Sequence, residues 1–232
     1  MTEEADPGGA RAWDARLGWA HGLTADDPAA REAALARLLR AQEGVGRSIA
    51  RLNEALLRPP PPGPAGRRRD PAFVRAATAH REAERHSLPE ALWNRPPGDV
   101  RTWAGLPYAL LYLEWEAKYP QTWTRYAKKW GTKRLLLRDV AVTGHGEAAR
   151  ARLVGLVAAA VRRRYRCKDR EYVRVARAVD GEDLRVALAP AADSEDVWAR
   201  RHAGYVLWLL DRPGVPNTRR VWEGWNAGEF AG

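Results

Sequence analysis

The chain has 232 residues, 45% of them hydrophobic and 29% charged, with 39 basic against 29 acidic side chains and a formal charge of +10. A single cysteine excludes an intrachain disulfide and a thiolate zinc site. No apolar run approaches the ~20 residues of a membrane span, and the acidic, polar residues 1–7 do not read as a signal peptide. The size suits one domain with a sizeable core, or a domain with a smaller appendage, and the composition reads as a soluble, cytoplasmic protein.

Residues 1–10 are expected to be disordered. A short helix begins over 13–19 and is interrupted at His21 and Gly22. Asp26-Asp27-Pro28 is a helix start, a capping aspartate followed by a first-turn proline. The helix over 29–57 carries Leu35, Leu38, Leu39, Val45, Ile49, Leu52 and Leu56 at helical spacing, loosened around Gly44 and Gly46. The proline-, glycine- and arginine-rich run 58–70 reads as a linker or exposed loop. The expected organisation is therefore an N-terminal helical segment 1–57, the linker 58–70, and a main all-helical basic domain 71–232.

Asp70-Pro71 starts a helix reaching about residue 86, and turns follow at Leu88-Pro89 and across 94–98. A helix over 103–119 places Leu106, Leu110, Leu113 and Ala117 on one side, ended or kinked by Pro120. A shorter helix over 123–130 is expected to stop at Gly131, and 133–142 fits helix or strand. Residues 147–179 are the most regular stretch. Val154, Val157, Val161, Tyr165, Tyr172, Val175 and Val179 share one stripe, and Arg163, Arg166, Arg170, Arg174 and Arg177 lie opposite. A break at Lys168-Asp169, with Asp169 capping a second helix, would split that ridge. A short helix over 184–188 is expected to end at Pro190. Ser194 can cap a buried helix over 197–210, and 218–225 gives a last amphipathic turn or two. Strand signals are almost absent. The fold class is all-α, either a multi-helix bundle or stacked helical hairpins of the HEAT-like solenoid kind, with no significant sheet.

Four of the five lysines fall within residues 118–133, among Trp115, Tyr119, Trp123, Tyr126 and Trp130; between Lys118 and Arg138 there is no acidic residue. Cations that meet phosphates, interleaved with rings that stack on bases, suit a polynucleotide. The expected contacts are Lys118, Arg125, Tyr126, Lys128, Lys129, Trp130, Lys133 and Arg134, joined by Arg163, Arg166, Arg170 and Arg174. The competing reading treats the same spacing as a core stripe with a solvated charged face. The acidic stretch 180–196 is a ready intramolecular partner for the arginines.

Catalytic signals are weak. No phosphate loop, dinucleotide fingerprint, nucleophile elbow or zinc motif is present. Glu114 and Glu116, flanking Trp115, and His145, between two glycines, are the candidate acid–base groups. His80, Glu84 and His86 make at best half a metal site, and neither metal nor cofactor is expected. The leading expectation is a nucleic-acid-binding protein of DNA or RNA. The alternatives are a helical adaptor docking on an acidic protein through Trp222 and Trp225, and a nucleic-acid-modifying enzyme of the base-excision kind.

Overall fold

The computed structural model describes residues 8–59, 66–93, 95 and 97–229, positions 67 and 69 as backbone alone. The expected disorder of 1–10 lies outside these residues as far as Pro7, and so does 60–65 of the proline-rich run. Among the described residues every regular element is helical. The α-helices are α1 (Ala10–Leu17), α2 (Pro28–Leu57), α3 (Gly66–Arg69), α4 (Pro71–Arg85), α5 (Leu106–Lys118), α6 (Pro120–Ala127), α7 (Trp130–Asp139), α8 (Glu147–Val161), α9 (Tyr172–Ala178), α10 (Glu182–Ala192), α11 (Val197–Leu210) and α12 (Arg219–Asn226). Short 3-10 turns join several of them, at Gly18–Thr24, Glu90–Leu92, Val100–Thr102 and Asp169–Glu171. None of these helices is long and apolar enough to cross a membrane.

The described residues form two compact units. One runs to Pro97 and includes Gln121–Ala127; the other holds Gly98–Pro120 and everything from Lys128 onward. The division thus falls near Pro97 and not at the proline-rich run, because α4, beyond that run, packs along α2. Both helices begin as the sequence dictates. Asp27 accepts from the backbone N–H of Ala29 and Ala30, and Asp70 from that of Ala72, each ahead of a proline. Gly44 and Gly46 do not interrupt α2, which is continuous over 30 residues. The turn at Gly18–Thr24 closes tightly on α2. A methyl group at Gly22 would lie 2.8 Å from Ala34 Cβ and 2.9 Å from the Ala30 carbonyl oxygen.

In the second unit α5 is core almost throughout, with nine of its 13 residues buried, including Trp115. The next core helix, α8, is apolar nearly all round and packs against α5, α9, α10 and α11. Contacts to helices on both sides in sequence, α5 among them, make this a bundle and not a serial stack of hairpins.

Several boundaries differ from expectation. Pro120 opens α6 instead of merely ending α5, since the first helical position needs no N–H donor. Gly131 lies inside α7, where it stops nothing, and Pro190 lies inside α10. Asp196, not Ser194, caps α11 through the N–H groups of Trp198 and Ala199, while Ser194 Oγ accepts from Asp196 N. The long stretch 147–179 is broken: α8 ends at Val161, and Lys168 takes a left-handed φ of 70° before the Asp169–Glu171 turn. Asp169 caps no helix. Its carboxylate serves a different structure.

Candidate functional site

The break between α8 and α9 turns cations inward. Lys133, on α7, is fully buried; its Nζ lies 3.2 Å from Glu116 Oε2 on α5 and 2.6 Å from Asp169 Oδ1. Arg163 grips Glu116 with both terminal nitrogens, at 3.1 and 2.9 Å, and reaches Asp169 Oδ1 at 3.0 Å. Arg166 Nε is 2.7 Å from Glu116 Oε1, and the Arg166 backbone N–H donates to Asp169 Oδ2 at 2.8 Å. Trp130 covers the cluster, its ring centroid 5.6 Å from both Lys133 Nζ and Arg166 Cζ. Three cations thus enclose two carboxylates. Burial pushes Glu116's carboxyl up, but the Arg163 hydrogen bonds and the charges of Lys133, Arg163 and Arg166 outweigh it and hold the group below its ordinary value.

This arrangement corrects the sequence reading at named positions. Lys133 has no surface to offer a phosphate, and Arg163 and Arg166 are committed to carboxylates because burying a charge without a partner costs several kcal/mol. Trp130 already has cations against it. In the other unit Arg125 lies over Tyr126, 5.1 Å from its centroid. Lys118 is exposed, with Nζ 5.5 Å from the Tyr119 centroid. Lys128 and Lys129 are exposed just ahead of α7, and Arg134 is half-buried on it.

Arg170 and Arg174 stay at the surface. With Arg138 they surround one buried carboxylate, Glu171, at 3.8, 3.1 and 3.0 Å, while remaining 61%, 65% and 44% exposed. Burial pushes Glu171 up and the hydrogen bonds of Arg138, with the charges of Arg138, Arg174 and Arg170, bring it below its ordinary value. One carboxylate cannot neutralise three guanidinium groups, so this collar keeps an excess of positive charge. Arg138 is the member that the sequence reading left out. The four arginines Arg134, Arg138, Arg170 and Arg174 come from α7 and from the Asp169–Glu171 turn running into α9, two elements that pack together.

No protein-family model, curated protein or solved structure matches the chain.

The two candidate carboxylates are occupied, whereas His145 keeps a buried Nδ1 without a hydrogen-bond partner among the described residues. Glu114 receives Arg152 Nε and Nη2 at 2.6 and 2.7 Å. Glu116 belongs to the buried cluster and is held as a carboxylate, the opposite of what a general acid needs. His145 Nε2 donates to the Val140 carbonyl at 2.9 Å. In the first unit His80 lies between Ser48 Oγ, at 3.0 Å from Nδ1, and Glu84 Oε1, at 3.5 Å from Nε2. That order of groups resembles a hydrolytic triad only on paper. The Ser48 hydroxyl donates to the Val45 carbonyl at 2.8 Å, as a serine within a helix does, so its proton is already committed. Among the described residues no cluster of histidine, cysteine and carboxylates has the makings of a metal site.

A feature the sequence reading missed lies beside the buried cluster. A cavity of about 450 Å³ opens between the end of α8, the 165–173 segment, α11 and the start of α12. Its walls are rings. His202 stands 6.0 Å from Trp198 and 5.7 Å from Trp222, and Tyr205 meets Trp222 edge-on at 4.8 Å. Burial keeps His202 below its ordinary value against the pull of the Asp169 charge, the Arg163 carbonyl and the Asp196 charge. Tyr172, fully buried, is kept protonated by burial and then by the Glu116 charge. Its hydroxyl has no hydrogen-bond partner among the described residues. The mouth is tied in place: Tyr205 Oη donates to Asn217 Oδ1 at 3.1 Å, and Asn217 Nδ2 to the Arg170 carbonyl at 2.9 Å. Trp222 and Trp225 are thus not free anchors. They stack on each other at 5.6 Å, and Trp225 lies over Gly204 on α11, within 3.5 Å of where a methyl would sit.

Proposed function

We propose that the protein binds nucleic acid through the second unit, with the arginine collar around Glu171 as its phosphate-gripping surface. One observation carries the reading. Arg138, Arg170 and Arg174 share a single carboxylate, yet Arg170 and Arg174 remain largely in solvent and Arg138 partly so. A guanidinium fork grips phosphate bidentately, and a phosphate needs the excess charge that one glutamate leaves over. The lysine–aromatic segment contributes less than its composition suggests, through Lys128 and Lys129, because Lys133 and Trp130 are spent inside the fold.

An acidic protein would also be drawn to such a collar. The nucleic-acid reading is preferred because the aromatic cavity shares Arg170 with the collar, placing rings next to phosphate-binding groups. The adaptor reading loses its motivating feature, since Trp222 and Trp225 pack on α11. The modifying-enzyme reading loses both carboxylate acids, since Glu114 and Glu116 are locked by arginines, and is left with His145 alone.

A mobility-shift titration of single- and double-stranded DNA and RNA at two salt concentrations tests the reading. Affinity should fall steeply with salt, and replacing Arg138 and Arg174 together by alanine should reduce the slope by about 2, one unit per lost phosphate contact. Binding that is absent or indifferent to salt refutes it.

A further inference from the structure

We propose that the cavity between α8, α11 and α12 receives a single nucleobase, with the phosphate attached to it held at the mouth by Arg170 and Arg219. This inference rests on the nucleic-acid reading and adds what the strand leaves in the protein: one unstacked base.

A volume of about 450 Å³ lies in the range of small-ligand sites, roughly 300–1,000 Å³. It is too small for a duplex or a peptide helix. Trp198, His202, Trp222 and Tyr205 form a run of rings, and Tyr165 adds another. Flat walls suit a flat occupant. Two of the rings are open to solvent as they stand: Tyr165 is 57% exposed and Trp198 46%. Large rings in that state, beside a cavity, have apolar faces that an occupant would cover.

Charge then selects among flat or aromatic-loving ligands. Aromatic walls attract cations as well as bases. A cation needs a negative or neutral entrance, and this one carries Arg170 and Arg219. Asp169, the carboxylate of the lining, is already held by Lys133 and Arg163 and has no charge to spare. Arg170 is 3.8 Å from its nearest carboxylate oxygen, a loose pair, and Arg219 is 91% exposed on a surface pair with Glu223. Exposed pairs of this sort exchange readily for a phosphate. An aromatic slot with guanidinium groups at its lip fits a base carrying a phosphate.

The wall offers a hydrogen bond to an edge. His202 donates one ring nitrogen to the Arg163 carbonyl and burial holds it below its ordinary value, so its other ring nitrogen remains an acceptor. The mouth needs little rearrangement, because Asn217 already bridges Tyr205 to the Arg170 backbone. Continuity with the collar through Arg170 sets the path: phosphates along Arg138, Arg174 and Arg170, then one base turned into the cavity.

The same chemistry is available from a strand or from a free nucleotide, and the test separates them. The probes are a short single-stranded DNA oligonucleotide, adenosine 5′-monophosphate and inorganic phosphate, read by quenching of intrinsic tryptophan fluorescence and by mobility shift. The variants are Trp198→Ala, Tyr165→Ala and the pair Arg138→Ala with Arg174→Ala, each checked by circular dichroism. The expected result is oligonucleotide binding weakened about tenfold by Trp198→Ala and by Tyr165→Ala with the salt slope unchanged, as loss of stacking predicts. The arginine pair should weaken binding and flatten the slope. Oligonucleotide affinity untouched by both ring variants, but lost in the arginine pair, overturns the cavity inference and leaves the nucleic-acid reading standing. No oligonucleotide binding, with saturable quenching by the monophosphate that Trp198→Ala abolishes, refutes the strand and assigns the cavity to a free nucleotide. Quenching by neither probe, or equal quenching by inorganic phosphate alone, overturns the base pocket altogether.

Discussion

Lys133 Nζ stands 2.6 Å from Asp169 Oδ1, with both side chains buried and Glu116 Oε2 3.2 Å from the same ammonium. The two carboxylates are shared among three cations, so the loss of a carboxylate and the loss of a cation are unequal events. Asp169→Asn leaves Lys133, Arg163 and Arg166 around Glu116 alone and should cost about 3–5 kcal/mol, the range for breaking a buried ion pair. Lys133→Met replaces a buried ammonium by an apolar chain of similar volume and leaves two arginines on two carboxylates. It should cost under about 1.5 kcal/mol and leave nucleic-acid affinity unchanged. Urea midpoints of the two variants decide it; equal losses would mean that Lys133 is the indispensable partner.

Acid should dismantle the same cluster. Glu116's ordinary value is 4.5, and in the folded chain it is held below that. The unfolded chain takes up a proton near 4.5 while the native chain still refuses one, so stability is complete above that pH and drains away as pH falls through the depressed folded value. Glu171 acts in the same direction. Glu116→Gln should be less stable than the parent at pH 7 and show a shallower decline below 4.5. Urea midpoints followed downward from pH 7 test this, and parallel curves for the two proteins would contradict it.

His202 has the opposite charge type and the same direction of loss. Burial lowers its value from 6.5, opposed by the Asp169 charge, the Arg163 carbonyl and the Asp196 charge. The other charged or titratable groups of the cavity are Arg170, Arg219, Tyr165, Tyr172 and Tyr205. As pH falls below 6.5 the unfolded imidazole binds a proton that the native one resists, so His202 destabilises the fold between 6.5 and its lower folded value. The ring-proton titration of His202 by nuclear magnetic resonance should have its midpoint below 6.5. A midpoint at or above 6.5 would show a solvated or carboxylate-paired ring.

Much of the local structure is readable from the chain alone, and the site is mostly not. Asp27-Pro28 and Asp70-Pro71 announce their helices because capping is a matter of neighbours three residues apart. The fate of the cations is not a local matter. Lys133 and Lys129 look alike in sequence, yet Lys133 is fully buried and Lys129 exposed, because α5 and the 163–169 loop converge on one of them from 17 residues upstream and ~30 or more downstream, a separation at which helical periodicity carries no information. Gly131 and Pro190 read as stops because propensity is a weak prior, and packing of the flanking apolar turns overrides it. The cavity drew rings from α11, α12 and the 165–173 segment, so no window of sequence contains it. Its one visible signal is the run of Trp198, His202, Tyr205, Trp222 and Trp225 toward the C-terminus, of which the first three read as part of a buried helix and only Trp222 and Trp225 as an exposed docking segment.

The tight turn at Gly18–Thr24 offers a test of packing independent of charge. Gly22 has no left-handed φ, so what it supplies is the missing methyl and not a special backbone conformation. A Cβ there would meet Ala34 Cβ at 2.8 Å and the Ala30 carbonyl oxygen at 2.9 Å, both belonging to the body of α2 and neither able to swing aside as the end of a long side chain could. Gly22→Ala must therefore push the turn off the helix, and overpacking of this kind costs about 1–3 kcal/mol. Gly46→Ala is the control: nothing lies within 4 Å of its added methyl, and a helical glycine replaced by alanine gains roughly 0.5–1 kcal/mol. The two single-methyl changes, both in the first unit, should move the thermal midpoint in opposite directions. If Gly22→Ala proves neutral or stabilising, the close approach of the turn to α2 is wrong.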